Sequence, residues 1–348
     1  MRQQSFDINY NLNARENKPN RVSVVIPCYN EEELLQVLYE RVNAVLDAIG
    51  IPYEVILVDD GSRDETWAIL KKFQQCHPSY KVIRLARNFG HQMALTCGLQ
   101  AAQGEVVLIL DADLQDPPEL LPEMLLKWQE GYDVVYGQRL VRKGEAPLKR
   151  LFAYCFYRLI KRITKIEIPV DTGDFRLMDR KAVNALLSLP EPHRFIRGMV
   201  AWIGYNQTAI RYERSERYAG DRKYTFKKSL LLALDAITSF SYLPLRLASY
   251  LGASISIFAF FYIIVVIVLK LMDINFPGYT SLMASILLLG GVQLMVLGIV
   301  GEYVGRIFEQ GQKRPLYLVD QSLGSPLGQS VEEQANNNQL TEKQKHDK

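Results

Sequence analysis

The sequence predicts an α/β domain built on a mostly parallel sheet, followed by a hairpin of two membrane-spanning helices. Three observations carry this expectation. Short β-branched runs alternate with helical stretches from Arg21 to Leu110. Three of those runs end in polar loops, at Pro27-Cys28-Tyr29-Asn30, Asp59-Asp60-Gly61-Ser62 and Asp111-Ala112-Asp113. Two uncharged apolar runs, Leu247 to Leu269 and Thr280 to Gly301, are each long enough to cross ~30 Å of hydrocarbon as a helix.

The elements follow in order. Met1 to Asn20 is polar, shows no signal-peptide pattern, and reads as a disordered tail over 1–20. A soluble domain then extends over 21–225. Arg21 to Pro27 (RVSVVIP) is a strand that stops at a loop. Glu31 to Ile49 is a helix, with Leu34, Leu38, Val42, Val45 and Ile49 on one face. Glu54 to Val58 is the second strand, Arg63 to Gln75 the second helix, and Lys81 to Ala86 the third strand. His91 to Gln103 is a helix closed by Gly104, and Glu105 to Leu110 is a strand that runs into Asp111. This alternation predicts a parallel sheet covered on both faces, with ligands beyond the carboxyl ends of the strands. Residues 147–165 mix an apolar face with Lys149, Arg150, Arg158, Lys161, Arg162 and Lys165, the pattern of a helix lying flat on an anionic membrane. A juxtamembrane helix over 226–244, a two-helix transmembrane domain over 245–308 and a mostly disordered tail over 309–348 complete the chain.

Composition narrows the function. The chain has 348 residues, 48% of them hydrophobic, and a formal net charge of +3, too little to argue for nucleic acid as a partner. Its cysteines show no CxxC or metal-type spacing, as befits reduced thiols in a cytosolic domain. Lys227, Lys228 and Arg246 precede the first span, and Arg306, Lys313 and Arg314 follow the second. The positive-inside rule places the catalytic domain and both termini in the cytoplasm, as part of an integral inner- or plasma-membrane protein.

The strongest chemical signal is Asp111-Ala112-Asp113-Leu114-Gln115-Asp116-Pro117-Pro118. Two carboxylates two residues apart, just past an apolar strand, can meet one hard cation, and Mg²⁺ or Mn²⁺ prefers such oxygen ligands together with substrate phosphates. Asp59-Asp60-Gly61-Ser62 offers a carboxylate to a ribose hydroxyl or a base N–H; it also reads as an Asx turn before the next helix. Asp171-Thr172-Gly173-Asp174-Phe175-Arg176 reads as a polar turn, in which Asp174 can orient an attacking group or accept a proton and Arg176 can hold an anion. Arg139, Arg217, Arg222 and Lys223 supply cations for phosphates if they converge. His91 and His193 are solitary. No GxxxxGK[ST] loop and no GxGxxG after a strand is present, which weakens kinase and dehydrogenase readings.

Together these segments resemble family 2 glycosyltransferases with a GT-A, Rossmann-like fold. They are most similar to the polyprenyl-phosphate glycosyltransferases, the dolichyl-phosphate mannose synthase and GtrB-like groups. The matching pieces are VVIPCYNEEE at 24–33, VDDGSRDET at 58–66, RNFGHQMAL at 87–95, DADLQDPPE at 111–119, TGDFRLMDR at 172–180 and the two spans. The resemblance implies that Pro27, Tyr29, Glu31 and Asp59 line a nucleotide pocket, with Asp60 close by. Asp111, Asp113 and Gln115 match the metal and diphosphate segment. Asp174 matches an acidic residue often proposed as catalytic base. Arg139 and Arg150 match holders of a lipid phosphate, to which Arg176 is added here. Arg217 and Lys223 match a loop closing over the donor diphosphate, although Arg222 stands where Ser is usual.

The implied reaction is inverting sugar transfer from a nucleoside diphosphate sugar, UDP-glucose favoured, to undecaprenyl or another polyprenyl phosphate. Mg²⁺ or Mn²⁺ is the expected cofactor. Asp113, Arg139 and Asp174 are the expected catalytic residues, Asp174 mainly orienting the acceptor or basic groups, with proton removal secondary. A processive polysaccharide synthase is the rival enzyme reading, although no QxxRW motif is present, and a non-catalytic membrane scaffold is the rival outside enzymes. Gly301 and Gly305 allow a homo-oligomer.

Overall fold

The computed structural model describes residues 15, 17–140, 172–213, 243–272 and 278–324. The expected interfacial helix at 147–165, the juxtamembrane helix before 243, and Arg150, Arg217, Arg222 and Lys223 lie outside the described residues. The chain forms two compact units, one holding the sheet and one holding the two long helices.

The first unit is an eight-stranded sheet. Its strands are β1 (Val22–Cys28), β2 (Tyr53–Asp59), β3 (Tyr80–Leu85), β4 (Val106–Ile109), β5 (Val134–Arg139), β6 (Thr172–Asp179), β7 (Gln207–Tyr212) and β8 (Val319–Leu323). Their order is β7-β5-β6-β4-β1-β2-β3-β8. Strands β1 to β4 pair in parallel, as the alternation of strand and helix demands. Every residue of β1 is buried, because helices cover both faces. Helix α1 (Leu35–Ile49) buries Leu35, Leu38, Val42 and Leu46, a stripe at helical spacing, and ends on Gly50 in the left-handed region. Helix α2 (Thr66–Cys76) buries Trp67, Leu70 and Phe73. Helix α3 (His91–Ala101) lies close to the sheet at Gly98, where a Cβ would stand 2.3 Å from Val25 Cγ1.

The sheet is mostly parallel, as expected, with β6 running antiparallel to both β4 and β5. One expectation is corrected: the described part of the segment read as a polar turn, 172–176, is the first part of β6, and every residue of that strand is buried. Its charged residues hid the strand, because they are neutralised by partners distant in sequence. The tail expected to be mostly disordered over 309–348 contains β8, which pairs antiparallel with β3. The Ala86 amide also donates to the Leu318 carbonyl, and the Tyr317 hydroxyl bonds Gln100 on α3. Within the tail expected over 1–20, Arg15 ion-pairs with Asp133 and Asp179 and lies over the Trp128 ring.

Among the described residues of this unit the remaining α-helices are α4 (Leu121–Gln129), ahead of β5, and α5 (Arg180–Ser188) and α6 (Ile196–Trp202), after β6. The second unit contains α7 (Leu243–Leu271) and α8 (Tyr279–Gly311), of 29 and 33 residues. Both contain the runs read as membrane spans, and α8 continues ten residues past Gly301. Stretches Leu245–Tyr262 and Leu288–Gly311 are apolar enough to cross a membrane and are 6% and 0% buried within the protein. A soluble core helix would hide this surface. The hydroxyls of Ser249, Ser254 and Ser256 donate to carbonyls one turn back, which satisfies them without water.

Candidate active site

The site is assembled at the carboxyl ends of β2, β1 and β4 and at the facing start of β6. The β1 and β2 ends are tied together first. The Asp60 amide donates to the Cys28 carbonyl, and Ser62 Oγ accepts from the Asn30 amide. Thr66 Oγ1 accepts from the Glu31 amide. This stitching brings Pro27, Tyr29, Glu31, Asp59 and Asp60 to one end of the sheet. Asp59 is fully buried; its Oδ1 accepts from the Ser62 amide three residues on, and Arg84 Nε stands 3.3 Å from Oδ2. Asp60 accepts from the Phe89 and Gly90 amides, fixing the loop before α3. Burial raises the Asp60 carboxyl, and those two amides offset part of the rise. Gly61 is required here, at φ +69 with a Cβ position 2.6 Å from the Arg87 backbone.

At the end of β4 the carboxylates crowd. Asp111 is pushed up to about 6, first by burial and then by Asp174, Asp116 and Asp113, against the pull of His91. Its Oδ1 has no hydrogen-bond partner among the described residues. Asp113 accepts from the Gln115 amide across Leu114, which holds a left-handed φ of 56. No three His, Cys, Asp or Glu side chains among the described residues form a ready-made metal cage. An oxygen-only donor set with an orphaned buried carboxylate oxygen fits a hard divalent cation whose shell is completed by substrate phosphates and water. Asp111, Asp113 and the neighbouring Gln115 fit that cation.

Asp174, on β6, is 2% exposed and heavily bonded. Arg197 on α6 donates to it through Nε at 2.9 Å and Nη2 at 3.3 Å, and Gln92 Nε2 donates at 3.2 Å. His91 Nε2 stands 3.4 Å from Asp174 and 3.5 Å from Asp111, bridging the two carboxylates. Burial would raise Asp174, but Arg197 and His91 outweigh it and hold the carboxyl well below its ordinary value. Burial would lower His91; its two carboxylates prevail and bring it to about 9. Arg176 is buried, its Nη2 donating to the Gly173 carbonyl and its Nε to the Asp174 carbonyl, and burial pulls it down to about 10.

Arg139, at the end of β5, lies across Gly173, where a Cβ would come within 2.5 Å of its Nη2. Its Nη2 donates to Asp116 at 3.3 Å and its Nε to the Tyr212 hydroxyl, which itself donates to Asp116. The structure therefore brings Asp111, Asp174 and Arg176 into one network through His91 and Arg197. It places Arg139 in an ion pair with Asp116. Sequence reading missed His91, Gln92 and Arg197. His91 and Gln92 open α3 directly after Gly90, a helix-start signal available in the sequence; Arg197 had no such mark.

Residues 23–187 match glycosyl transferase family 2, and residues 243–307 match the GtrB C-terminal hairpin. The uncharacterized glycosyltransferase YkcC of Bacillus subtilis (strain 168) is 48% identical over 303 residues, 87% of this chain and 94% of that one. The chain belongs to glycosyl transferase family 2. It is a glycosyltransferase with a GT-A-like sheet and a hairpin of two apolar helices. The bactoprenol glucosyl transferase of Shigella phage SfII is 39% identical, over 87% of this chain and 98% of the relative. Glucosyl-3-phosphoglycerate synthase from Mycobacterium tuberculosis, a solved structure, superposes with a TM-score of 0.46 at 19% identity, over 64% of this chain and 79% of that one.

Proposed function

We propose that this glycosyltransferase moves a sugar from a nucleoside diphosphate sugar, UDP-glucose favoured, onto undecaprenyl or another polyprenyl phosphate, with inversion, at the cytoplasmic membrane face. One observation carries the reading. An acid-rich strand-end site and two helices with exposed apolar sides occur on one chain, and relatives matching across both are named bactoprenol glucosyl transferases. Such a chain suits a water-soluble donor and an acceptor whose tail stays in the bilayer. β7 precedes the hairpin and β8 follows it, and both belong to one sheet. Chain connectivity therefore supports an even number of crossings with both ends of the hairpin on the side of the catalytic domain. The flanking Lys and Arg residues support the cytoplasm as that side.

The residues divide the work along the sheet. Pro27, Tyr29, Glu31, Asp59 and Asp60 hold the nucleoside end. Mg²⁺ or Mn²⁺ held by Asp111 and Asp113, beside Gln115, supplies Lewis-acid neutralisation of the departing diphosphate when bound. The acceptor phosphate is already an anion near neutral pH, so deprotonation is a small demand. Asp174, already paired with Arg197 and His91, orients those cations and is poorly placed to collect a proton. Arg139 and Arg176, each partnered, contribute positive potential to the acceptor end.

The test is radiolabel transfer into organic-extractable lipid. Membranes containing the protein receive polyprenyl phosphate, Mg²⁺ or Mn²⁺ and a panel of UDP- and GDP-sugars, with Asp113→Ala as control. Label in lipid from one donor, lost in the control, supports the reading and names the sugar. Metal-dependent nucleotide binding with no lipid label from any donor sinks the polyprenyl acceptor.

A further inference from the structure

Resting on the acceptor role given to Arg139 above, we propose that Tyr212 is a positioning residue for sugar transfer, acting through Arg139. The two residues are cross-strand partners. Arg139 ends β5 and Tyr212 ends β7, and the parallel register of these strands sets one opposite the other. Both lie at the edge of the sheet where β4 runs into Asp111, past β6 in the spatial order β4-β6-β5-β7. They flank the site on the side away from β1 and β2.

A guanidinium on a long side chain has many orientations, and a productive anion contact uses one of them. Here one orientation is imposed by three neighbours. Asp116, which is fully buried, accepts from Nη2 at 3.3 Å through both carboxylate oxygens. The Tyr212 hydroxyl accepts from Nε at 3.3 Å and donates to the same Asp116. Gly173 leaves the slot in which the guanidinium lies, since a Cβ there would stand 2.5 Å from Nη2 and 3.3 Å from Cζ. A carboxylate is symmetric and accepts a guanidinium by either edge. The hydroxyl breaks that symmetry, because it engages Nε and Asp116 at once and fixes which edge is turned inward.

The hydroxyl is itself held. Tyr212 is 5% exposed, and its ring meets Phe175 of β6 edge-on with centroids 5.9 Å apart. Gly137 of β5 makes room for both rings, since a Cβ there would come 2.7 Å from Phe175 Cδ1 and 2.8 Å from Tyr212 Cε1. At the same place the register of β5 against β6 slips, between Tyr136 and Gln138, an irregularity of the kind that re-aims a side chain beside a site. Phenylalanine would fill the same space; what tyrosine adds is the hydroxyl between Asp116 and Arg139. Asp116 extends the link to the donor end. It stands three residues after Asp113, in the segment that suits the cation and diphosphate. One buried carboxylate thus ties that segment to the acceptor-end arginine.

The experiment uses the full-length protein in detergent micelles, with Mg²⁺ or Mn²⁺, polyprenyl phosphate and the sugar nucleotide that the wild type accepts. Values of kcat and KM are measured for each substrate in the wild type, Tyr212→Phe, Arg139→Lys and the combined variant, with nucleoside diphosphate binding and thermal unfolding followed in parallel. Tyr212→Phe keeps the ring against Phe175 and removes only the hydroxyl. Loss of its bonds to two charged partners lowers kcat/KM for polyprenyl phosphate by about 10-fold, while donor KM and nucleotide binding stay within about two-fold. Arg139→Lys keeps the charge but has no Nε edge for the hydroxyl to hold, so adding Tyr212→Phe to it changes kcat/KM by less than about two-fold. Gly173→Ala, which crowds Nη2 and spares the hydroxyl, gives the same lipid-selective loss and serves in place of Tyr212→Phe if that variant does not fold. A purely structural tyrosine would lower the unfolding temperature and leave lipid kcat/KM unchanged, and that result overturns the inference. An equal loss in both Arg139 backgrounds overturns it too, because Tyr212 then acts independently of Arg139, as does a loss confined to donor KM. Wild-type protein that transfers no sugar to the lipid overturns the reaction and the inference together; transfer with an indifferent Tyr212 overturns the inference alone.

Discussion

Two carboxylates sit at opposite ends of one set of parallel strands and are treated differently. Glu54, at the start of β2, accepts from Ser23 Oγ, the Gln103 amide and the Gly104 amide, and meets Lys81 Nζ at 2.6 Å. Asp111, past the end of β4, feels Asp174, Asp116 and Asp113, against which His91 stands 3.5 Å from its Oδ1. The first is bonded as a structural group must be. The second keeps a raised carboxyl in spite of His91, a state that a cation or a proton relieves. Asp174 lies between the extremes, buried and paired, but paired with cations that themselves face the site.

The contrast breaks most visibly at Glu54. Glu54→Ala strips Lys81, Ser23 and two amides of their acceptor and is expected to cost about 3–5 kcal/mol in a denaturant titration. Asp174→Asn comes next, losing about 1–3 kcal/mol of charged hydrogen bonding at the site. It should lower the rate while leaving the shape of the pH–rate profile intact; loss of the basic limb would instead make Asp174 the proton acceptor. Asp111→Asn works in the opposite sense. With its folded value raised to about 6, the charged carboxyl weakens the fold at pH 7, and the penalty fades as pH falls below that value. In metal-free buffer the variant should gain on the order of 1 kcal/mol, a Tm rise of ~2–4 °C at pH 7 that shrinks at pH 5, and should lose activity when Mg²⁺ is restored. The smallest effect is the acid limb of Glu54. Burial pushes its carboxyl up, yet Lys81, Ser23 and Gln103 outweigh burial and hold it below its ordinary value. Its stabilisation is complete above the unfolded value of ~4.3 and drains away as pH falls through the folded value, so Glu54→Gln should flatten Tm against pH between ~3 and ~5.

The same contrast explains what the sequence could disclose. Strands β1 to β4 and helices α1 to α3 were legible because each carries its own period and each strand ends at a polar loop. The Asp111 segment was legible because acids next to an apolar strand have few structural uses. β6 was not, because Asp174, Arg176 and Asp179 are neutralised by residues far away in sequence, which makes a buried strand look like a surface turn. Arg197 was hidden for the same reason. Its meaning lies in a partner on another strand, and its local sequence, Phe195-Ile196-Arg197-Gly198, is that of any amphipathic helix. β8 was hidden by a polar sequence, Val-Asp-Gln-Ser-Leu, in which backbone pairing does the work that side chains do elsewhere.

That last strand sets an order of events for the chain as it is made. β3 ends at Leu85, but its outer partner begins only at Val319, after both apolar helices have been synthesised. Until then the growing domain presents an unpaired edge of the kind that recruits other strands. A chain released at Arg314 would keep the residues of the described site and both helices, and would still be an unfinished sheet. Insertion of the hairpin and closure of the enzyme are therefore sequential steps of one biogenesis, and the final residues of the sheet act as its clasp.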